Sequence, residues 1–379
     1  MRRRLPLCTV TSSSMSEGGA VEAAGTASPS RSLASHTTLR LGGPATELVT
    51  VSDPGELVER VREADRAGRR LLVFGGGSNL VVSDEGFDGT AVRIATRGIN
   101  YDRSGDGLVR LTVEAGEDWD AVVADAVGHG LGGLECLSGI PGLTGATPVQ
   151  NVGAYGVEIS ELLVSVDLLD RRTGEVRTVP AGELGLSYRS SVLKRTDRAV
   201  VLRVRLRLRE DGLSEPVRYG ELAGALGVTA GERVPVERVR RAVLELRGGK
   251  GMVLDREDHD TWSAGSFFTN PIVDAERLPG VLERIERRTG EQRVPRYPAG
   301  DGAAKLSAAW LIERAGFGKG YSGPGGRVRL STKHTLALTN RGSATTEDLL
   351  SLASEVREGV RESFGVLLAP EPVLVDCLL

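Results

Sequence analysis

Arg70-Leu71-Leu72-Val73-Phe74-Gly75-Gly76-Gly77-Ser78-Asn79-Leu80 decides how this chain is read. Arg70–Phe74 is a short apolar run of strand character that delivers the chain into three consecutive glycines. Glycines let backbone N–H groups converge on an anion without Cβ obstruction, and Ser78 and Asn79 add polar side chains. Leu80–Val82 then resumes as a strand, so no helix opens behind the loop and the spacing of a dinucleotide-binding fingerprint is incomplete. A plain hairpin turn would look similar, so the loop needs company. The literal G-x-G-x-x-G of this chain lies elsewhere, at Gly128-His129-Gly130-Leu131-Gly132-Gly133. There a helix, Trp119–Val127, precedes the glycines and a loop follows, the reverse of the required strand-then-helix order. That string is a helix stop and turn.

Company comes from Ser138-Gly139-Ile140-Pro141-Gly142-Leu143-Thr144-Gly145-Ala146-Thr147-Pro148-Val149-Gln150-Asn151-Val152-Gly153-Ala154-Tyr155-Gly156, a long, uncharged, apolar loop punctuated by glycine. Its Thr, Gln and Asn side chains suit a polar heterocycle, and ordered loops of this length are usually functional. The chain has 50 glycines in 379 residues, nearly double the usual ~7%, and their clustering points to backbone-built binding loops.

Around these loops the pattern is mixed. Asp53-Pro54 opens a helix that Gly68 ends, and strands are expected at Thr90–Ile94, Val109–Val113, Leu163–Asp170, Glu175–Val179 and Val200–Leu208. The last alternates Leu/Val with Arg and reads as a sheet with one solvated face. Helices are expected at Val236–Leu246, Ala275–Arg287, Ala304–Ala315 and Thr346–Phe364, with a strand at Thr335–Leu338. Residues 1–35 lack periodicity and read as a disordered extension. The net charge of −3 lacks the basic footprint of a nucleic-acid binder. No apolar run reaches the ~18–20 residues of a membrane span. Three cysteines, Cys8, Cys136 and Cys377, show no metal or disulfide spacing. A soluble, cytosolic, multi-domain protein is expected. Of 48 basic residues, the five lysines (Lys194, Lys250, Lys305, Lys319 and Lys333) stand out against an arginine-rich background.

The two glycine loops resemble the flavin-cradling loops of the vanillyl-alcohol-oxidase (PCMH) type of FAD-binding fold. Four more motifs narrow the match: Ser187-Tyr188-Arg189-Ser190-Ser191, Ser263-Ala264-Gly265-Ser266-Phe267-Phe268-Thr269-Asn270-Pro271, Lys305-Leu306-Ser307-Ala308-Ala309-Trp310-Leu311-Ile312-Glu313 and Ala369-Pro370-Glu371-Pro372. In this order they are similar to the UDP-N-acetylenolpyruvoylglucosamine reductase family. The resemblance covers about Thr37 to Val375. It implies an α+β fold: an FAD-binding domain at 36–212, in two subdomains split near 96, then a smaller α+β substrate-binding domain at 213–379 whose last residues return to the active site.

It also implies an enzyme with non-covalent FAD, NADPH as hydride donor, a UDP-sugar substrate and no metal; a monomer is favoured. Such an enzyme reduces an enolpyruvyl ether, which needs a proton donor, stabilisation of charge beside the substrate carboxylate, and a dry site. Ser266 matches the family's proton donor, and Arg189 and Glu371 match its other two catalytic positions. Tyr219, Lys250 and Asn270 match positions that meet the nucleotide sugar. The flavin would contact Gly75, Gly76, Gly77, Ser78, Asn79 and Leu80, and from the second loop Ser138, Gly139, Ile140, Pro141, Gly145, Ala146, Pro148, Gln150, Asn151, Gly153, Ala154, Tyr155 and Gly156. The acidic stretch Gly251–Trp262 departs from the family's more familiar Lys-Leu-Pro-Asp version. Two rivals stay open, a flavin oxidase on the same fold and a non-catalytic flavoprotein scaffold. In the oxidase Ser266 and Glu371 would have no joint purpose, and retention of Arg189, Ser266 and Glu371 speaks against the scaffold.

Overall fold

A computed structural model describes residues 31–379. Of the extension expected to be disordered, 1–30 lie outside the described residues, whereas 31–35 are ordered. Leu33 is buried, and its N–H donates to the Gly43 carbonyl at 3.0 Å.

The first layer is a parallel sheet. Strand β1 (Ala45–Val51) leads into helix α1 (Pro54–Arg66), where Asp53 caps by accepting from the Glu56 N–H at 2.8 Å. Strands β2 (Leu71–Phe74), β3 (Leu80–Val82) and β4 (Phe87–Ile94) follow. β4 sits between β1 and β2, parallel to both. α1 buries Leu57, Val61 and Ala64, the apolar stripe its spacing predicts.

The second layer is antiparallel. β5 (Ile99–Arg103) and β6 (Leu108–Glu114) precede helix α2 (Trp119–Gly128). A two-residue ladder of β7 (Gly153–Ala154) and β8 (Val157–Glu158) follows the long loop, then β9 (Leu163–Asp170), β10 (Glu175–Pro180) and β11 (Ala199–Arg209). The sheet order is β10-β9-β11-β6-β5. On the polar face of β11, Arg203 pairs with Glu114 and Asp167, and Arg205 forks onto Asp167 at 2.7 and 2.8 Å. The arginine stripe is a solvated face laced by ion pairs.

The expected boundary after residue 212 moves. Helices α3 (Gly220–Leu226) and α4 (Val236–Gly249) bury Leu222, Val236, Val239 and Val243 in the same core as Trp119, Val109 and Val204. Arg240 of α4 clasps Asp120 of α2 at 2.6 Å. An apolar stripe one helix long needs a sheet or helix to cover it, and the antiparallel layer supplies that cover, so 213–249 belongs with the first body.

A second core runs from Ala264 to Leu368 and takes in Leu39, Leu41 and Val81 from the N-terminal part. Its elements are β12 (Ile272–Val273), α5 (Leu278–Thr289), β13 (Arg296–Pro298), β14 (Ala304–Leu306), α6 (Ala308–Arg314), β15 (Val328–Leu330), β16 (Leu338–Asn340) and α7 (Thr346–Phe364). The helix expected from Ala304 begins only at Ala308. Ser307 caps it by accepting from the Trp310 N–H, so Lys305 lies on a strand between β12 and β13. The strand expected at Thr335–Leu338 starts at Leu338. Finally β17 (Val373–Val375) crosses back and pairs parallel with β3, immediately behind the triple-glycine loop. Among the described residues no helix is long and apolar enough to cross a membrane.

Candidate active site

A cavity of about 870 Å³ opens between the two glycine loops, at the upper end of the ~300–1,000 Å³ usual for small-molecule sites. All of Gly75–Leu80 lines it, as do Ile140, Pro141, Gly145, Ala146 and Gln150. The loops touch backbone to backbone: a Cβ on Gly76 would stand 2.9 Å from the Gly142 Cα. Asn79 spans them, donating from Nδ2 to Gln150 Oε1 at 2.8 Å and to the Glu371 carbonyl at 3.4 Å. The walls are largely apolar, with Val73, Leu143, Val149 and Val201 among them. A cradle of bare backbone backed by apolar walls fits a flavin dinucleotide: N–H groups for the pyrophosphate, a greasy slot for the ring.

Eight expected flavin residues lie elsewhere. The Ser138 hydroxyl is spent on the Glu135 carbonyl, Gly139 faces Leu244 of α4, and Pro148 is buried away from the cavity. Asn151 is fully buried and donates to Glu158 and the Ser187 carbonyl, while its Oδ1 accepts from the Ser160 N–H. Gly153 receives Arg189, whose Nη2 donates to its carbonyl at 2.6 Å. Ala154, Tyr155 and Gly156 continue this side, and Tyr155 stacks edge-on against Tyr219 at 5.6 Å. The loop thus has two faces: its first half forms the cavity and its second half builds the seat of Arg189 and the adjoining cleft. Lys194, Arg195 and Thr196, which the sequence reading missed, line the cavity's far side. The rarity of lysine at Lys194 was the available signal.

Arg189 and Glu371 meet beside this cavity, next to Lys194, Pro370 and Pro372 of its lining. Arg189 sits in a left-handed conformation (φ 53°) in a hairpin closed by reciprocal Ser187/Ser190 backbone bonds of 3.0 Å. Left-handed backbone is unfavourable for a residue with a Cβ and clusters at functional sites. Lys194 Nζ holds the hairpin by donating to the Arg189 carbonyl at 2.7 Å. Arg189 Nε lies 3.3 Å from Glu371 Oε1. Glu371 stands between Pro370 and Pro372, which line the cavity, and is carried there by the β3–β17 pairing. Burial raises its carboxyl pKa above the ordinary range, against the pull of Arg189 and Lys194.

Ser266 arrives from the second core. Its neighbour Phe267 receives the Glu371 N–H on its carbonyl at 2.9 Å, and Phe268 bridges Pro370. One short backbone ladder therefore fixes the serine segment against the glutamate segment. Phe267 and Phe268 are each 1% exposed and pack edge to face, a dry wall behind Ser266.

The expected sugar-nucleotide residues fall around the same cleft in different ways. Tyr219 precedes α3 and is 40% exposed. Lys250 ends α4, pairs with Glu221 at 2.6 Å and lies 5.9 Å from the Tyr155 ring. Asn270 turns inward: its Oδ1 accepts from the Ala308 N–H at the start of α6, and it also neighbours Tyr188. The acidic stretch that departs from the family pattern is tied to the β15–β16 connection and to the residue just past β16, with Lys333 on Asp258 at 2.5 Å and Arg341 on Asp260 at 2.9 Å. Arg247 was also missed: its Nε is buried without a partner, while Nη2 donates to the Met252 carbonyl.

A non-Rossmann glycine cradle beside an arginine–glutamate pair fits a flavoprotein, and residues 45–180 match the family model described as an FAD binding domain. Residues 257–375 match the model for the C-terminal domain of UDP-N-acetylenolpyruvoylglucosamine reductase. The chain belongs to the UDP-N-acetylenolpyruvoylglucosamine reductase family. It is 73% identical to that enzyme of Saccharopolyspora erythraea, across 92% of this chain and 95% of the relative. Against the Nocardia farcinica enzyme it is 60% identical, across 92% and 89%. A crystal structure of the Thermus caldophilus reductase superposes with a TM-score of 0.60 at 29% identity, covering 90% of this chain and 97% of that one.

Proposed function

We propose that this chain is an FAD-dependent reductase that uses NADPH to convert UDP-N-acetylglucosamine enolpyruvate to UDP-N-acetylmuramate, a step of peptidoglycan precursor synthesis. The observation that carries the reading is the meeting of Arg189, Glu371 and the Ser266 segment beside the glycine-lined cavity. When bound, FAD supplies the hydride it has taken from NADPH. This chain's residues do the rest. Arg189 forks onto the substrate carboxylate and stabilises the negative charge that grows beside it once the vinyl terminus has accepted hydride. Glu371, kept neutral for longer by burial, donates a hydrogen bond to the same carboxylate. The Ser266 hydroxyl gives its proton to the carbon next to that carboxylate. Serine is a weak acid, and the positive charges of Arg189 and Lys194 nearby favour the alkoxide left behind. The Phe267–Phe268 wall excludes water from the site.

Tyr219 and Lys250 hold the UDP moiety, with Lys250 exchanging Glu221 for the diphosphate; Asn270 acts beside them while anchoring α6. The working unit of this proposal is a monomer. NADPH and nucleotide sugars are cytosolic metabolites, which supports a cytosolic enzyme. The two substrates share one pocket in turn, so initial rates varied in both should give parallel double-reciprocal lines, and the product should be two hydrogens heavier than the sugar supplied. Intersecting lines, or unchanged sugar mass, would count against the reading.

A further inference from the structure

No step of the mechanism uses the acidic stretch Gly251–Trp262, although it joins two functional ends, Lys250 before it and the Ser266 segment after it. Its neck is closed. A Cβ on Gly251 would stand 3.2 Å from the Asp260 carbonyl oxygen, so the chain leaves and returns at one point, as a compact Ω-type loop does. Asp260 pins that neck. Its buried carboxylate takes the Arg341 guanidinium on Oδ1 at 2.9 Å, and on Oδ2 the Thr332 N–H at 3.1 Å together with the Thr332 hydroxyl. A buried carboxylate needs such partners in place of water, and charge-assisted bonds from two directions hold it in one geometry. From Asp260 onward the chain is held repeatedly on the way to the serine. The Trp262 carbonyl accepts from the Asn340 N–H at 3.0 Å, the Ser263 carbonyl accepts from the Thr38 hydroxyl at 2.7 Å, and the Phe267 N–H donates to the Leu336 carbonyl at 2.7 Å. Thr332 and Leu336 lie in the β15–β16 connection, Asn340 ends β16 and Arg341 follows it. One hairpin thus grips the chain on both sides of Ser266. Between the grips sits Gly265, at φ 73° with open space where a Cβ would be, a freedom the grips must remove.

We propose that Asp260 is a positioning residue for the proton donor: by tying the acidic loop to Arg341 and Thr332 it fixes the segment that carries Ser266, so that the serine hydroxyl meets the carbon to be protonated. This rests on the reductase reading above, in which Ser266 gives that proton. Asp260 acts through the segment and transfers nothing itself.

The test compares FAD-loaded Asp260→Asn, Arg341→Met and Arg341→Lys with Asp258→Asn, a change in the same loop away from its neck. Asp260→Asn keeps the shape and loses the charge that holds Arg341. Its kcat should fall about 10- to 100-fold, the scale of an ångström of misplacement, while flavin reduction by NADPH stays within about twofold and the sugar KM within about threefold of the parent. The solvent deuterium isotope effect on kcat should rise, because proton delivery has become limiting. Arg341→Met should share the loss, Arg341→Lys should recover most of it, and Asp258→Asn should turn over as the parent does. Should Asp260→Asn not fold, the two Arg341 variants carry the same test. A kcat within twofold of the parent, a loss confined to the sugar KM, an equal slowing of flavin reduction, or an equal loss in Asp258→Asn would each overturn the assignment. Amide hydrogen exchange across residues 263–268 needs no turnover: it should quicken in Asp260→Asn and Arg341→Met but not in Asp258→Asn, and unchanged exchange would equally overturn the assignment. If the parent protein fails to reduce the sugar, the functional reading falls, while the exchange measurement still reports on the grip.

Discussion

Substituting Gly76 by alanine probes the flavin cradle by steric means alone. Gly76 does not have a positive φ, so alanine fits its backbone; the added methyl, however, would stand 2.9 Å from the Gly142 Cα and 3.4 Å from its carbonyl carbon. Both contacts are backbone, which cannot rotate aside, so the two loops must part by about half an ångström to an ångström to restore ordinary contact. Overpacking of this kind costs about 1–3 kcal/mol. Parting the loops also stretches the 2.8 Å bond from Asn79 to Gln150 that ties them together, a bond worth about 0.5–1.5 kcal/mol. The combined effect on the cradle is about 2–4 kcal/mol, or a loss of about 30- to 900-fold in FAD affinity. Titration of apoprotein with FAD, followed by protein fluorescence, measures it. The matched control is Gly128→Ala in the G-x-G-x-x-G string, where a methyl meets nothing within 4 Å at the end of α2. That variant should bind FAD as the parent does and gain up to ~1 kcal/mol of stability from the helix. FAD binding within threefold of the parent for Gly76→Ala, or equal losses for both variants, would refute the cradle.

Ser266→Ala should bind FAD and accept reduction by NADPH in stopped flow, yet fail to turn over the enolpyruvyl sugar; normal turnover would remove the serine from the mechanism. Arg189→Lys keeps the charge but loses the planar fork, so kcat should fall by about 10²- to 10³-fold with FAD content unchanged. Glu371 has its pKa raised by burial, so its neutral form persists above the ordinary carboxyl range and is lost as pH climbs through the raised value. Turnover should carry a matching alkaline fall that Glu371→Gln removes. The linked stability follows the same sign: Glu371's contribution is fully present below the unfolded-state pKa and drains away through the raised one. The slope of melting temperature over that window should therefore flatten in the glutamine variant. Lys250→Ala should raise the sugar KM by about tenfold or more while leaving flavin reduction intact; an unchanged KM would place Lys250 on the surface with Glu221.

Local signals carried much of the fold. Helix α7 occupies its expected span because Thr345 and Asp348 form a capping box and Gly365 takes the left-handed cap. Asp53-Pro54 fixed the start of α1 in the same way. Where local and tertiary preferences conflict, the reading slipped. Ala304-Lys305-Leu306 has helical propensity, yet pairing with strands on both sides holds it extended. Residues 213–249 resemble the start of a new domain in composition, but only the contact with α2 reveals which core they join. The candidate site divides likewise. Gly75–Leu80 is legible only in the company of the second glycine loop, since a glycine run behind a strand by itself also fits a plain hairpin turn. Which half of the 138–156 loop faces the cavity is not, since it depends on where Arg189 is seated. Nor does spacing bring Arg189, Ser266 and Glu371 together. That convergence comes from β17 crossing back to β3 and the ladder between the serine and glutamate segments.

The most direct test follows NADPH oxidation by the purified, FAD-loaded chain under anaerobic conditions, with and without UDP-N-acetylglucosamine enolpyruvate. NADPH should be consumed mole for mole with the enolpyruvyl sugar, and without it only to the extent of the bound flavin. Flavin that is reduced but never reoxidised by the sugar would contradict the assignment and return the chain to the oxidase or scaffold readings.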